Sequence, residues 1–129
     1  MVQPYQVGVD TSGETGLVYV AGRLSHAFRK GALLAAELEM AGGLYAQEEI
    51  SPARATAAER ALGDGVIRWV HERFGELLFA RVDVVPGDAG PLVLEVELTE
   101  PSLVLHTDPG APARAAAALR SARHRSESR

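Results

Sequence analysis

Apolar and charged positions alternate most cleanly from Glu76 to Leu103, in ELLFARVDVVPGDAGPLVLEVELTEPSL. A period of two marks β-strands, and the central Pro and Gly residues mark a turn, so the stretch reads as a hairpin. Leu78, Ala80, Val82 and Val84 share one face of its first strand, and Phe79, Arg81, Asp83 and Val85 share the other. On the return strand Leu94, Val96 and Leu98 share one face, and Val93, Glu95 and Glu97 the other. An even loop sets each charged face against an apolar one. A one-residue slip flips every side chain, so burial selects strongly between registers. An odd loop, such as the five residues Gly87 to Pro91, makes the apolar sets coincide. That register predicts Val82 opposite Val96, Val84 opposite Leu94, Arg81 opposite Glu97 and Asp83 opposite Glu95.

Upstream, Val2 to Val9 reads as a strand interrupted at Pro4, and Asp10 to Thr15 (DTSGET) as a turn. Gly16 to Gly31 reads as two strands joined near Ala21–Gly22. Ala32 to Gly43 is a short helix or an irregular loop, closed by two glycines, and Leu44 to Ile50 a short strand. SPAR (Ser51 to Arg54) supplies an N-cap serine and a proline at the first helical position, which predicts a helix to about Phe74. Its apolar stripe is Ala58, Leu62, Val66, Trp69 and Val70, with Gly63 and Gly65 weakening its middle by roughly 1 kcal/mol each. Trp69, Phe74, Phe79 and Tyr45 read as core residues. A second helix starts near Pro112, and Arg123 to Arg129 forms a frayed polar tail. The order β, β-hairpin, β, α, β-hairpin, α predicts an α+β domain whose antiparallel sheet carries helices on one face.

Composition narrows the function classes. The chain has 129 residues, 47% hydrophobic and 23% charged, which suits one globular domain of 1–122 plus the tail. A net charge of −4 calls for no nucleic acid and no anionic membrane. The absence of cysteine excludes disulfides and thiolate-bound zinc. No apolar run approaches the ~18 residues of a membrane span, and no leader is visible, so the expected compartment is cytoplasmic. His26 reads as structural, and His71, His106 and His124 show no metal spacing.

The hairpin register leaves Asp83, Glu95 and Glu97 together. Asp83 and Glu95 directly opposite one another repel. Two readings remain open on spacing alone. One is a solvated polar face screened by water. The other is a hard-cation site, because carboxylates without histidine or cysteine suit Mg²⁺.

At this point ARVDVV…LVLEVELTEPSL resembles the end of an ATP-grasp domain of the glutathione-synthetase-like type, and the longer stretch from MVQPY to SHAFRKGALL is similar to cycloserine-biosynthesis-type ATP-grasp ligases. The resemblance implies an α+β C-terminal ATP-grasp subdomain with ATP and Mg²⁺ as cofactors. Asp83, Glu95 and Glu97 would be the metal ligands, Glu97 standing where many members have Asn. Val2, Gln3, Pro4 and Tyr5 would form the hinge against adenine. Arg29 or Lys30, with Arg81, would face the transferred phosphoryl group; a one-residue shift in the first hairpin exchanges Arg29 and Lys30. Glu14 reads as a solvated turn carboxylate, with contact to the nucleotide as the alternative, and Glu100 as part of a structural turn, with a supporting place behind the site as the alternative. The implied reaction joins a small-molecule carboxylate to an amine through an acyl phosphate. The first half of the nucleotide clamp is not in the sequence, so the expectation is the C-terminal part of a larger ligase, either truncated or split, the split form having a separate N-terminal ligase half as partner. The competing expectation is a non-catalytic remnant, or an interaction subunit of a split ligase.

Overall fold

The computed structural model describes residues 6–31 and 49–127. The elements are α1 (Gly8–Ser12), β1 (Glu14–Val20), β2 (Arg23–Lys30), β3 (Ile50–Ala53), α2 (Ala57–Phe74), β4 (Phe79–Gly87), β5 (Gly90–Glu97), a 3₁₀ turn (Leu105–Thr107) and α3 (Ala111–Glu127). The hinge residues Val2–Tyr5, the segment expected over Ala32 to Gly43 and Tyr45 lie outside the described residues, as does all but the end of the strand expected over Leu44 to Ile50.

Five strands form one antiparallel sheet in the order β3-β2-β1-β4-β5, the expected α+β class. Leu17, Tyr19, Ala27, Ala80, Val82 and Val84 point to one face, where α2 brings Ile67 against them with Leu62 and Val66 at the margin. On the opposite face Val18 and Phe28 pack against Val104. There the segment from Leu103 into α3 adds cover at one end, where His26 on β2 donates from Nε2 to the Leu103 carbonyl at 2.8 Å. That bond requires Nε2–H, the tautomer in which Nδ1 accepts from the Ser25 hydroxyl at 3.0 Å.

Both hairpins turn on two residues and then slip. In the first, Ala21 and Gly22 both have positive φ (47° and 75°), the backbone of a tight two-residue connection. Val20 pairs with Arg23 and Tyr19 with Leu24, but Val18 pairs with His26, so Ser25 is an extra residue. In the second, Gly87 pairs with Gly90, and Val84 with Val93, while Asp83 pairs with Glu95. Leu94 is the extra residue. The predicted pairs Arg81–Glu97, Val82–Val96 and Asp83–Glu95 are present. The predicted five-residue loop and the Val84–Leu94 pair are not. A bulge within the strand supplies the odd residue that the loop was expected to supply.

Other expectations shift for local reasons. Val7 to Val9 enter α1 rather than extending as a strand, and α1 runs on to Ser12 through the first part of the expected turn. Ser51 and Pro52 lie on edge strand β3, opposite Arg29 and Phe28. Proline tolerates that position because its missing N–H faces away from the ladder. The helix starts later, at Thr56, whose hydroxyl accepts from Glu59 N at 3.2 Å while Glu59 Oε2 accepts from Thr56 N at 2.7 Å. This capping box competes successfully with the Ser51–Pro52 signal. Starting there, α2 buries Gly63, Ile67 and Val70, and leaves Trp69 and Phe74 exposed, stacked edge to face at 6.0 Å. Helix α3 continues through Glu127, beyond the tail boundary expected at Arg123. No helix among the described residues is long and apolar enough to cross a membrane.

Candidate metal and phosphoryl-transfer site

Residues paired across an antiparallel ladder share a face. The ladders therefore put Glu14 with Lys30, and Asp83 with Glu95, on the face opposite α2, with Arg81 and Glu97 beside them. Asp83 is almost wholly buried there. Arg81 Nε lies 2.8 Å from its Oδ1 and 3.0 Å from its Oδ2, and Arg81 Nη2 lies 2.8 Å from Oδ2. The same Nη2 donates to Glu97 Oε1 at 2.6 Å and stands 3.8 Å from Glu95 Oε2. Lys30 Nζ donates to Asp83 Oδ2 at 3.2 Å and lies 2.7 Å from Glu14 Oε1. That last contact is a close ion pair rather than an aligned hydrogen bond, since Glu14 Oε1 has no hydrogen-bond partner among the described residues.

Chain geometry explains the convergence. Gly13, at φ 64°, ends α1 where a side chain would overlap the Lys30 carbonyl oxygen, and so delivers Glu14 directly beside Lys30. The Ser25 bulge then settles which basic residue enters the cluster. Lys30 points into it, and Arg29 points the other way and donates to the Ser12 carbonyl at 2.9 Å.

The electrostatics follow from burial among charges. Burial pushes the Glu14 carboxyl above its ordinary value, Lys30 pulls it down, and Asp83 adds to the rise. Burial works against the charged Lys30 ammonium, yet Glu14 and Asp83 outweigh it and hold its pKa above the usual lysine value. Arg81 behaves likewise, with Asp83 its main support. The two partners of the Lys30–Glu14 pair thus move in the same direction. We take the pair as ionised near neutrality, because Lys30 has two carboxylates within 3.2 Å.

Asp83, Glu95 and Glu97 can each present one oxygen so that the three lie within 4.8 Å of one another. Octahedral Mg²⁺ at ~2.1 Å places its ligands about 3 to 4.2 Å apart, so the group is slightly open. Glu95, whose side chain is 54% exposed, has the freedom to close it. With all six groups ionised, four carboxylates (Glu14, Asp83, Glu95, Glu97) against two cations (Lys30, Arg81) leave two negative charges in excess. The donor set and the charge therefore fit a hard divalent cation. A cleft of about 360 Å³ opens over the cluster, between Phe28, Ile50, Ser102 and Val104.

Sequence reasoning underrated Glu14. Its signal was available in the register, since an odd slip in the first hairpin sets it opposite Lys30. Ser102 on the cleft wall gave no signal at all. Glu100 stays exposed, consistent with a turn residue. His26 is buried and structural, its ring tied to Ser25 and Leu103.

No protein-family model matches the chain. The chain is 38% identical over 112 residues to the cycloserine biosynthesis protein DcsG of Streptomyces lavendulae, a match covering 81% of this chain and 36% of that protein. The crystal structure of D-cycloserine synthetase DcsG superposes with a TM-score of 0.72 at 33% identity, covering 91% of this chain and 40% of the other. D-alanine–D-alanine ligase from Bacillus anthracis, complexed with ATP, gives a TM-score of 0.56 at 19% identity, covering 90% and 40%. The latter likeness is one of fold. The chain spans well under half the length of each relative.

Proposed function

We propose that the chain, related in sequence to DcsG and in fold to D-alanine–D-alanine ligase, carries the C-terminal part of an ATP-grasp domain, binds Mg²⁺–ATP and serves an ATP-dependent carboxylate–amine ligation. The observation that carries this reading is the convergence of Asp83, Glu95 and Glu97 with Lys30 and Arg81 on one sheet face beside an open cleft. Asp83, Glu95 and Glu97 would hold the cation, which when bound offsets the charge of the nucleotide phosphates. Residues Val2, Gln3, Pro4 and Tyr5 supply the adenine-contacting hinge in this reading.

In the ligation a substrate carboxylate oxygen attacks the γ-phosphorus of ATP, the bond to the β–γ bridging oxygen breaks, and ADP leaves. The acyl phosphate formed is then attacked by an amine, which displaces phosphate and loses a proton. Negative charge builds on the phosphoryl oxygens in the first step and on the carbonyl oxygen in the second. Lys30 supplies a fixed positive charge at the edge of the cleft for these steps. Arg81 is held in place by Asp83 and Glu97, and supports the field from beneath. Arg29 faces the other side of the sheet and has no part in this scheme. A separate N-terminal ligase half is the proposed partner.

Calorimetry of the chain with Mg²⁺ and ATP, alone and with such a half, tests the proposal. Binding that weakens in Asp83→Asn and Glu95→Gln supports it, and no heat in either arrangement overturns it. One observation favours a second reading, an interaction subunit without catalysis. Arg81 and Lys30 already occupy both oxygens of Asp83, a closed ion-pair network that can stand as structure alone. That reading expects no nucleotide binding.

A further inference from the structure

Glu14 is the one buried acid of the cluster that neither the carboxylate triad nor the proposed phosphoryl chemistry employs. Its side chain is 15% exposed, and its Oε1 lies 2.7 Å from Lys30 Nζ with no hydrogen bond from elsewhere among the described residues. Lys30 is the only lysine in the chain. Its ammonium is shared by two carboxylates, Glu14 on one side and Asp83, at 3.2 Å, on the other. Asp83 already accepts from Arg81 at both oxygens. If the Glu14 charge is removed, the nearest remaining counter-ion for Lys30 is Asp83. The ammonium then moves fully over that carboxylate and neutralises the best-buried oxygen pair of the cluster.

We infer that Glu14 is the positioning residue for Lys30: it holds the ammonium at 2.7 Å, against 3.2 Å to Asp83, and so limits how far Lys30 competes with a divalent cation for the Asp83 carboxylate. The cation part of this inference rests on the proposed metal reading of Asp83, Glu95 and Glu97, whereas the placement of Lys30 does not. The sheet provides the reason for the arrangement. Glu14 and Lys30 are directly paired residues on β1 and β2, and the Gly13 turn fixes where β1 begins. A long, flexible lysine side chain has several rotamers, and a facing carboxylate on rigid backbone selects among them.

The test uses the full chain in wild type, Glu14→Gln, Glu14→Asp, Lys30→Met and the Glu14→Gln/Lys30→Met double variant. One arm titrates Mn²⁺ alone by calorimetry. Glu14→Gln weakens Mn²⁺ binding about tenfold, Glu14→Asp recovers most of the loss, and in the Lys30→Met background Glu14→Gln changes affinity by less than about twofold. An equal loss in the Lys30→Met background overturns the inference, because Glu14 would then be a ligand itself. The second arm needs no metal. Selective ¹⁵N labelling of lysine gives a single Nζ signal, which Glu14→Gln shifts or broadens and Glu14→Asp retains. An Nζ signal unchanged in Glu14→Gln, or no resolved signal in the wild type, overturns the positioning role. If wild type binds no Mn²⁺, the metal reading of the triad falls, and the Nζ arm still decides whether Glu14 places Lys30.

Discussion

Arg81 and Asp83, two residues apart on the same face of one strand, hold each other through hydrogen bonds of 2.8, 3.0 and 2.8 Å with both side chains almost fully buried. Same-face neighbours on a strand normally only line up side by side. Here the guanidinium folds back along the strand, because Asp83 faces Glu95 across the ladder and needs a cation to offset that neighbour. Arg81 extends the compensation to Glu97 at 2.6 Å. One arginine therefore makes three clustered carboxylates tolerable before any cation binds.

Breaking this pair from the arginine side leaves a buried carboxylate with Lys30 as its remaining partner. Arg81→Met is expected to destabilise the fold by about 3 kcal/mol, the scale for stranding one member of a buried ion pair. Arg81→Lys recovers little, since an ammonium lacks the fork that meets both Asp83 oxygens and still reaches Glu97. Urea unfolding of the three proteins checks this. A loss below about 1 kcal/mol for Arg81→Met, the scale of an exposed pair, would show that the pair carries no structural weight.

Two glycines of α2 are expected to respond in opposite directions. A Cβ on Gly63 would sit 2.7 Å from Leu17 Cδ1, and closer still to the Tyr19 hydroxyl, both buried core groups. Gly63→Ala gains about 1 kcal/mol of helix propensity, but the overpacking costs about 1–3 kcal/mol, so the net is a loss. Around Gly65 there is nothing within 4 Å. Gly65→Ala should stabilise by about 0.5–1 kcal/mol. Thermal unfolding of both variants reads the contrast, and equal shifts of one sign would refute it.

How far the sequence revealed these features depends on where the decision was local. The period-two pattern placed Arg81 opposite Glu97 and Asp83 opposite Glu95, because one apolar face demanded that register. It misplaced the extra residue, since a loop of five and a loop of two with a bulge at Leu94 satisfy the same demand. The first hairpin repeats this. The Ala21–Gly22 turn was legible, but the Ser25 bulge that turns Lys30 inward and Arg29 outward was not. Helix α2 showed its end, where Gly75 follows Phe74. Its start was obscured by two competing N-cap signals, Ser51–Pro52 and Thr56–Glu59. Trp69 matched helical spacing and still faces outward, because α2 turns Gly63, Ile67 and Val70 inward and leaves Leu62 and Val66 at the margin. Periodicity cannot distinguish a stripe from its neighbour when a glycine makes the close contact.

His26 should make stability fall on mild acidification. Burial lowers its pKa from the ordinary 6.5, although the Leu103 carbonyl opposes that shift. The unfolded chain therefore takes up the proton first as pH falls through about 6.5, and the folded state is penalised until its own lower pKa is passed. The urea midpoint of the wild type is expected to drop between pH 7.5 and pH 5.5. His26→Gln starts from lower stability, having lost the ring's bonds to Leu103 and Ser25, but should show a smaller drop. An equal drop in both proteins would remove His26 as the cause.

The two edges of the sheet are protected to different degrees. Strand β3 has four residues and carries Pro52, which blunts pairing with another chain. Strand β5 has eight residues and one edge with no partner strand among the described residues, with Leu92 44%, Val93 37%, Leu94 37% and Val96 36% exposed. Leu94 and Val96 were expected on the apolar face of the hairpin, yet α2 covers the strand only in part. A long apolar edge of this kind favours chain-to-chain contact. Sedimentation velocity is therefore expected to show self-association that grows with protein concentration. Leu94→Lys places a charge on the residue that the bulge leaves without a cross-strand partner, so it should shift the chain toward monomer with little change in unfolding midpoint. A wild type that stays monomeric at every concentration, or a Leu94→Lys variant that associates equally well, would show that β5 is not the contacting edge.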